Sequence, residues 1–329
     1  MITYENLSKK PGIFKGFTGV TIAEFEGLLE KATGVWVEQE QRRLDRPDRQ
    51  RAMGGGCKPK FGLEGQLLVT LVWLRLYLTT EALGFLFGID KATVSRYTRS
   101  ILPVLRQVGE SSLGWPEPPK RGEGKSIGQA RQEHPDLFAF VDATEQPIRR
   151  SSDSKTQKDH YSGKKKRHTR KVQIVTNEYG EIRAVSTSAP GSVHDRTLFT
   201  KSGIAEKIPK DIVTGGDSGY QGIQDDLPDH SVITPFKKSK HHPLSEEQQA
   251  LNQEFSRSRI IIENTIGHLK NFKALSERYR HSAELHDDTF RAVVAIVNPR
   301  IQKRVAPVSY THLRAHETDS YLVCRLLLE

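Results

Sequence analysis

The sequence predicts an α/β domain built on a mixed β-sheet, preceded by an all-α domain that carries a helix-turn-helix. Apolar residues recur at helical spacing as far as residue 107, and residues 109–134 are rich in Gly, Pro, Ser and charge, with WPEPPKRGEGK at their centre. Beyond that stretch, short apolar runs bounded by turn formers alternate with helical segments, the pattern of a mixed sheet with helices packed on it. The expected organisation is a basic helical segment over 1–58, the helix-turn-helix over 59–108, a linker over 109–135, the α/β domain over 136–303 and a separate tail over 308–329.

The chain has 329 residues, enough for two domains that each bury a core. Its formal net charge is +10, which suits a polyanionic partner because cations that neutralise phosphates release counterions. A solvated basic face would account for the same number. Cys57 and Cys324 are far apart and lack metal-ligand spacing, so neither a disulfide framework nor a zinc module is expected. The N-terminus has no signal-peptide core, and the most apolar run, Leu67 to Leu78, is too short to span a bilayer and contains Arg75. These features predict a soluble protein of a reducing, cytoplasmic compartment with no membrane partner.

Residues 21–47 read as a helix opened by Thr21, with Ile22, Phe25, Leu28 and Leu29 on one face and Arg42, Arg43 and Arg46 near its end. Residues 80–99 fit the helix-turn-helix template. Gly84 lies where two helices cross closely, Gly88 supplies the turn, and Val94 packs back. The second helix would present Lys91, Thr93, Ser95, Arg96 and Arg99 to base edges and phosphates, with Pro103 limiting it beyond the reading residues. An ordinary helical hairpin facing water is the alternative.

In the α/β region, LFAFVDATEQPI (137–148) is a buried strand, KVQIVTN and EIRAVSTSA form a hairpin about Glu178-Tyr179-Gly180, and a helix is expected over 193–208. Strands at DIVTGGD and SVITPF and a long helix over 244–274 complete the pattern. Asp142 sits at the end of the first strand, where a charge is costly unless a cation meets it. Asp217 repeats the arrangement before a glycine turn, and Glu263 stands among apolar residues on the long helix. Arg259 and Lys270, one turn before and two turns after Glu263 on its face, could hold phosphates. Two strand-end aspartates and a helical glutamate can hold two magnesium ions roughly 3.5–4 Å apart for in-line phosphoryl displacement. Oxygen-only ligands favour Mg²⁺ or Mn²⁺. Asp195 is a rival second acid, with a helix N-cap as its plainer role. Lys164, Lys165, Lys166 and Arg167 open a dense basic run to Lys171, either a solvated loop or a contact to the DNA backbone. His160, Tyr161 and His194 are given no catalytic role.

The segments GLEGQLLVTLVWLRLYLTTEALGFLFGIDKATVSR, VDATEQPI, DHYSGKKKRHT, PGSVHDRTLF, GGDSGYQGI, TPFKK and SRIIIENTIGHLKNF resemble insertion-sequence transposases of family five, in the DDE endonuclease superfamily shared with Harbinger-type elements. The resemblance spans about residues 10 to 303. It implies an RNase H-like catalytic fold, with Asp142, Asp217 and Glu263 as the metal-binding catalytic acids. The related Y-R-E-K signature is matched at Arg259, Glu263 and Lys270, while Ser256 stands at its tyrosine position. It further implies a bacterial, nucleoid-associated protein that binds terminal inverted repeats, cuts and joins double-stranded DNA, and works as a homo-oligomer. A nuclease that cuts without joining and a non-catalytic DNA-binding regulator are the alternatives. From about Val308, VSYTHLRAHETDSYLVCRLLLE resembles translated sequencing-adapter read-through, with an amphipathic terminal helix as the alternative. His312, His316 and Cys324 are therefore excluded from functional reasoning.

Overall fold

A computed structural model describes residues 1–45, 59–115, 138–210, 212–238 and 243–305. In chain order the elements are α1 (Tyr4–Ser8), α2 (Pro11–Thr18), α3 (Ile22–Leu44), α4 (Leu63–Leu76), α5 (Thr80–Phe87), α6 (Lys91–Glu110), β1 (Phe138–Pro147), α7 (Ser154–His160), β2 (Tyr161–Ser162), β3 (Arg167–Asn177), β4 (Ile182–Val185), β5 (Ala189–Pro190), α8 (Asp195–Lys201), β6 (Val213–Gly216), β7 (Val232–Ile233), α9 (Glu246–Lys270), α10 (Lys273–Ser276) and α11 (Ala283–Val305). They form two compact units: Met1–Ser112 with Gln146–Arg149 and His268–Val297, and Leu113–Glu145 with Arg150–Gly267 and Asn298–Glu329.

The described part of the first unit is essentially helical. Thr21 opens α3 as a capping box, its hydroxyl accepting from the Glu24 amide while Glu24 accepts from the Thr21 amide. The apolar run read as too short for a membrane is α4, buried continuously from Gln66 to Leu74. Among the described residues no helix is long and apolar enough to cross a membrane. Gln146 donates to the carbonyls of Ala274 (2.7 Å) and Glu277 (2.9 Å), and Arg106 pairs with Asp288 at 2.9 Å. These contacts join distant stretches of chain within the unit.

The helix-turn-helix forms as expected at its turn, where Gly88 takes φ 64°. Gly84 is needed at the close approach expected of it: a Cβ there would lie 2.5 Å from the Ile89 carbonyl oxygen in the turn and 3.5 Å from the Lys91 amide nitrogen, where the second helix begins. Pro103 does not limit α6, which runs on to Glu110. Proline removes only the single bond its amide would have made to the Arg99 carbonyl, and packing of Ile101, Leu102, Val104 and Leu105 holds the remainder.

The second unit contains the sheet, ordered β2-β3-β1-β6-β7, with β4 and β5 also pairing with β3. β1, β6 and β7 are parallel neighbours, whereas β3 with β4 is antiparallel, so the sheet is mixed as the sequence predicts. Ala139, Val141, Val175 and Ala184 pack with Phe199, Ile204, Tyr220 and Ile223 in its core. The helix expected over 193–208 is shorter. α8 stops at Lys201, Gly203 takes φ 66°, and the chain resumes as a 3-10 turn at Ala205–Lys207. α7 was not anticipated, and β3 begins four residues earlier than expected, at Arg167.

Ala ordinarily stabilises a helix interior by about 1 kcal/mol over Gly. At position 84 the contact with the Ile89 carbonyl reverses the sign. Gly84→Ala is expected to destabilise the chain by roughly 1–3 kcal/mol in chemical denaturation, as overpacking does; a neutral or stabilising result would show that the turn yields.

Candidate active site and nucleic-acid interface

Strand register builds the site. β1 and β6 run parallel with Val141 opposite Gly216, where their pairing ends, so Asp142 and Asp217 follow side by side. β6 stops there, but β1 runs on to Pro147, so Asp142 lies within its strand and not at the end expected from the sequence. The preceding residues Ala139, Phe140 and Val141 are buried, which fixes the first acid at the edge of the core. Asp142 keeps only 18% of its side chain exposed. Its Oδ1 accepts from the Ala143 amide at 2.7 Å, and its Oδ2 lies 3.3 Å from the Arg259 guanidinium. Burial pushes the carboxyl up from 3.8 to about 6, and the neighbouring charge of Asp217 pushes the same way. The Ala143 amide, Arg259 and Lys164 offset part of this.

Asp217 caps its own 3-10 turn, Oδ1 accepting from the Gly219 amide at 2.8 Å. Glu263 is reached through Arg259, which stands 3.9 Å from its Oε1, but the Glu263 side chain is 58% exposed. Lys270 ends the same helix and falls in the first unit.

Asp195 is not the N-cap that its sequence context suggests. His194 occupies that position, and Asp195 is the first residue of α8, where a negative charge is favoured by the helix dipole. Its carboxylate is claimed by Lys171, whose Nζ donates to Asp195 Oδ1 and to the Val193 carbonyl, each at 2.7 Å. Lys171 also lies 3.8 Å from Glu145, which accepts from Thr169 at 2.7 Å. Gln173 donates to the Asp195 carbonyl and to the Tyr220 hydroxyl. Burial, then the charges of Asp195, Asp142 and Asp217, hold that hydroxyl well above the ordinary tyrosine range. Lys171 was read from sequence only as the end of the basic run, and Glu145, Gln173 and Tyr220 were not singled out. The signal for two of them was the alternation of Thr169, Lys171 and Gln173 along one face of β3.

The donors suit a hard divalent cation. Asp142 and Asp217 offer oxygen alone, and the buried carboxyl of Asp142 is left short of positive charge. Mg²⁺ characteristically binds through one or two carboxylates, with water and substrate phosphate completing its shell. Among the described residues, no group of three or more His, Cys, Asp or Glu side chains converges tightly enough to hold a metal without such help.

Lys164, Lys165, Lys166 and Arg167 are exposed about the turn between β2 and β3. Lys171, the end of the same basic run, is buried. On α6, Lys91, Arg96 and Arg99 are exposed and Thr93 and Ser95 half-buried. Lys91 pairs with Glu81 at 3.3 Å, and Arg96 donates to Thr93, which donates to the Asp90 cap. His194 is exposed, and His160 Nδ1 lies 3.0 Å from the Thr156 carbonyl. Arg46, Arg49, Arg51 and Cys57, the 116–137 part of the linker and the tail from residue 306 lie outside the described residues.

A helix-turn-helix ahead of an acid-bearing mixed sheet defines a class of DNA-acting proteins, and comparison with known families agrees. Residues 59–111 match the helix-turn-helix of DDE superfamily endonucleases, and residues 141–298 match the DDE superfamily endonuclease domain. The chain is 30% identical over 269 residues to a probable transposase for insertion sequence element IS702 from Microchaete diplosiphon, covering 82% of this chain and 87% of that protein. The chain belongs to the DDE transposase family, with an N-terminal helix-turn-helix for DNA binding. Nucleases of this superfamily generally use divalent metal ions.

The strained protonation of Asp142 has a measurable consequence. Its folded pKa is raised, so the folded state binds the proton more tightly than the unfolded chain, and stability falls as pH rises from 3.8 to about 6. Asp142→Asn removes that penalty. In EDTA the variant is expected to be more stable than wild type by about 3 kcal/mol above pH 6, with the gain vanishing below about pH 4. A pH-independent difference in urea midpoints would contradict the assignment.

Proposed function

We propose that this chain is a transposase that binds the terminal inverted repeats of its element, cleaves a phosphodiester to free a 3′-hydroxyl, and joins that hydroxyl to target DNA. The observation that carries the reading is the placement of Asp142 and Asp217 side by side, each immediately after the last paired residue of two adjacent parallel strands, with Asp142 buried and short of counter-charge. The sheet-bearing unit within 136–303 is RNase H-like, and the helix-turn-helix over 59–108 is joined to it by the linker 109–135.

Asp142, Asp217 and Glu263 would hold Mg²⁺ or Mn²⁺, two ions in all. Asp217 takes precedence over Asp195 because Lys171 already neutralises the rival acid. Bound cations supply Lewis acidity, at the attacking oxygen in one position and at the leaving oxygen in the other. Arg259 touches Asp142 at 3.3 Å and Glu263 at 3.9 Å, so it orients both acids and can turn toward a phosphate when DNA arrives. Lys270 serves as a second phosphate contact.

In the first step a water oxygen bonds to phosphorus, the bond from phosphorus to the 3′ oxygen breaks, and that oxygen leaves as a hydroxyl after gaining a proton. In the second step the same hydroxyl attacks a target phosphate, and the displaced 3′ oxygen takes the proton. No covalent bond to the protein forms.

Lys91, Thr93, Ser95, Arg96 and Arg99 read the repeat, while Lys164, Lys165, Lys166 and Arg167 contact the backbone near the acids without reading sequence. Joining two ends calls for a homo-oligomer on double-stranded DNA, and the setting is the nucleoid of a bacterial cytoplasm.

Purified chain with the flanking inverted repeats and Mg²⁺ should cleave and then join pre-cut ends. Asp142→Asn and Asp217→Asn should each lower both steps by at least about 10³-fold, the scale of losing a group that stabilises transition-state charge. Full activity of Asp217→Asn would sink its assignment, cleavage without joining would leave a nuclease, and binding without cleavage a regulator. Replacing residues 164–167 by Ser removes four cations and should flatten the slope of log affinity against log salt by up to about 4. An unchanged slope would place the run away from DNA.

A further inference from the structure

The basic run is split by the fold, and its buried member does something the exposed ones do not. Lys171 is nearly enclosed, with 8% of its side chain exposed, between Asp195 (18%) and Glu145 (6%). It donates to the Asp195 carboxylate and to the Val193 carbonyl, fixing both ends of the turn that enters α8. Gln173 ties the same turn to Tyr220 through the Asp195 carbonyl. The Asp195 carboxylate is also next to the site. A Cβ at Gly219 would lie 3.1 Å from Asp195 Oδ2 and 2.9 Å from Asp217 Oδ1, so the two carboxylates flank one glycine. Two acids of equal chemistry therefore stand beside the same turn, and among the described residues only Asp195 has a lysine on it.

We infer that Lys171 is a positioning residue that neutralises Asp195 inside the domain and so reserves the divalent cation for Asp142 and Asp217. The inference rests on the metal-dependent reading of the site proposed above. The charges give it a sign. Lys171, Asp195 and Glu145 together carry −1. Lys171→Met leaves −2 and a carboxylate released beside the cation site, Asp195→Asn leaves 0, and the double variant returns to −1. Cation affinity should follow that order.

The test is Mn²⁺ alone titrated into the full chain without DNA, read as loss of the free-ion EPR signal, alongside cleavage in Mg²⁺. Lys171→Met should bind Mn²⁺ about tenfold more tightly than wild type, the order expected of one added unneutralised charge near a divalent ion. It should also cleave more slowly, because Asp195 then competes for the ion. Asp195→Asn should bind more weakly, and Lys171→Met/Asp195→Asn should return to the wild-type Kd, as should Lys171→Arg. A merely structural lysine would give looser binding in every variant.

If Lys171→Met does not fold, the comparison of Asp195→Asn with the double variant carries the test. A double variant no tighter than Asp195→Asn means that the Lys171 charge does not act on the cation site, and overturns the inference. Wild-type binding that Asp142→Asn abolishes but Lys171→Met leaves unchanged overturns this inference alone. A wild type that binds no Mn²⁺ overturns it together with the metal-dependent site.

Discussion

The sheet-bearing unit depends on one constraint: two carboxylates emerge together from a buried sheet. Parallel pairing of β1 with β6 imposes it, because a shared register leaves no freedom to offset Asp142 from Asp217. The cost is electrostatic. The carboxyl of Asp142 is withdrawn from water and faces a second negative charge, and the Ala143 amide, Arg259 and Lys164 only partly offset this. A structure selected for stability alone would place an amide there. On the proposed reading, the acid at this position trades stability for chemistry.

The surroundings follow from that constraint. The core beneath must be rigid, since the two acids are only as well placed as the strands that carry them, and Ala139, Val141, Phe199 and Tyr220 pack there without exposed surface. The cations nearby are held on different elements: Arg259 on α9, Lys164 in the turn before β3, Lys171 within β3. Their separation matters. A cation buried on Asp142 itself would satisfy the acid permanently, whereas Arg259 at 3.3 Å is close enough to stabilise it and sits on a side chain long enough to release it. Lys171, by contrast, bonds at 2.7 Å to an acid and a carbonyl and has nowhere to go.

Much of this was legible before any coordinates. Asp142 and Asp217 announce themselves because an apolar run that ends in an acid is costly unless the acid has a purpose, and Thr21 and Gly88 mark a cap and a turn by stereochemistry that few residues share. What escaped notice was set by pairing partners distant in sequence. Residues 164–171 read as one basic loop, yet β3 begins at Arg167, and strand alternation then turns Thr169, Lys171 and Gln173 inward. The capping role expected of Asp195 failed for a related reason: Lys171, 24 residues away, offered its carboxylate a charged partner in place of an amide. Helical spacing put Arg259 and Glu263 on one face correctly, but could not tell that one would be 16% and the other 58% exposed.

That last contrast bears on how the site would assemble. Asp142 and Asp217 are fixed by strands, whereas Glu263 projects from a helix with most of its surface in water and only a long contact to Arg259. An exposed glutamate loses rotamer freedom when it is recruited, a cost of order 1–2 kcal/mol that neutralising a cation-phosphate cluster can offset. Arg259 is the natural coupling element, because it stands beside the buried acid and the exposed one at once. On the proposed reading, a phosphate that drew the guanidinium away would strip Asp142 of a neutralising neighbour, raise its demand for a metal and release Glu263. Substrate binding and completion of the acid set would then be one event, which keeps an endonuclease centre incomplete until DNA is present.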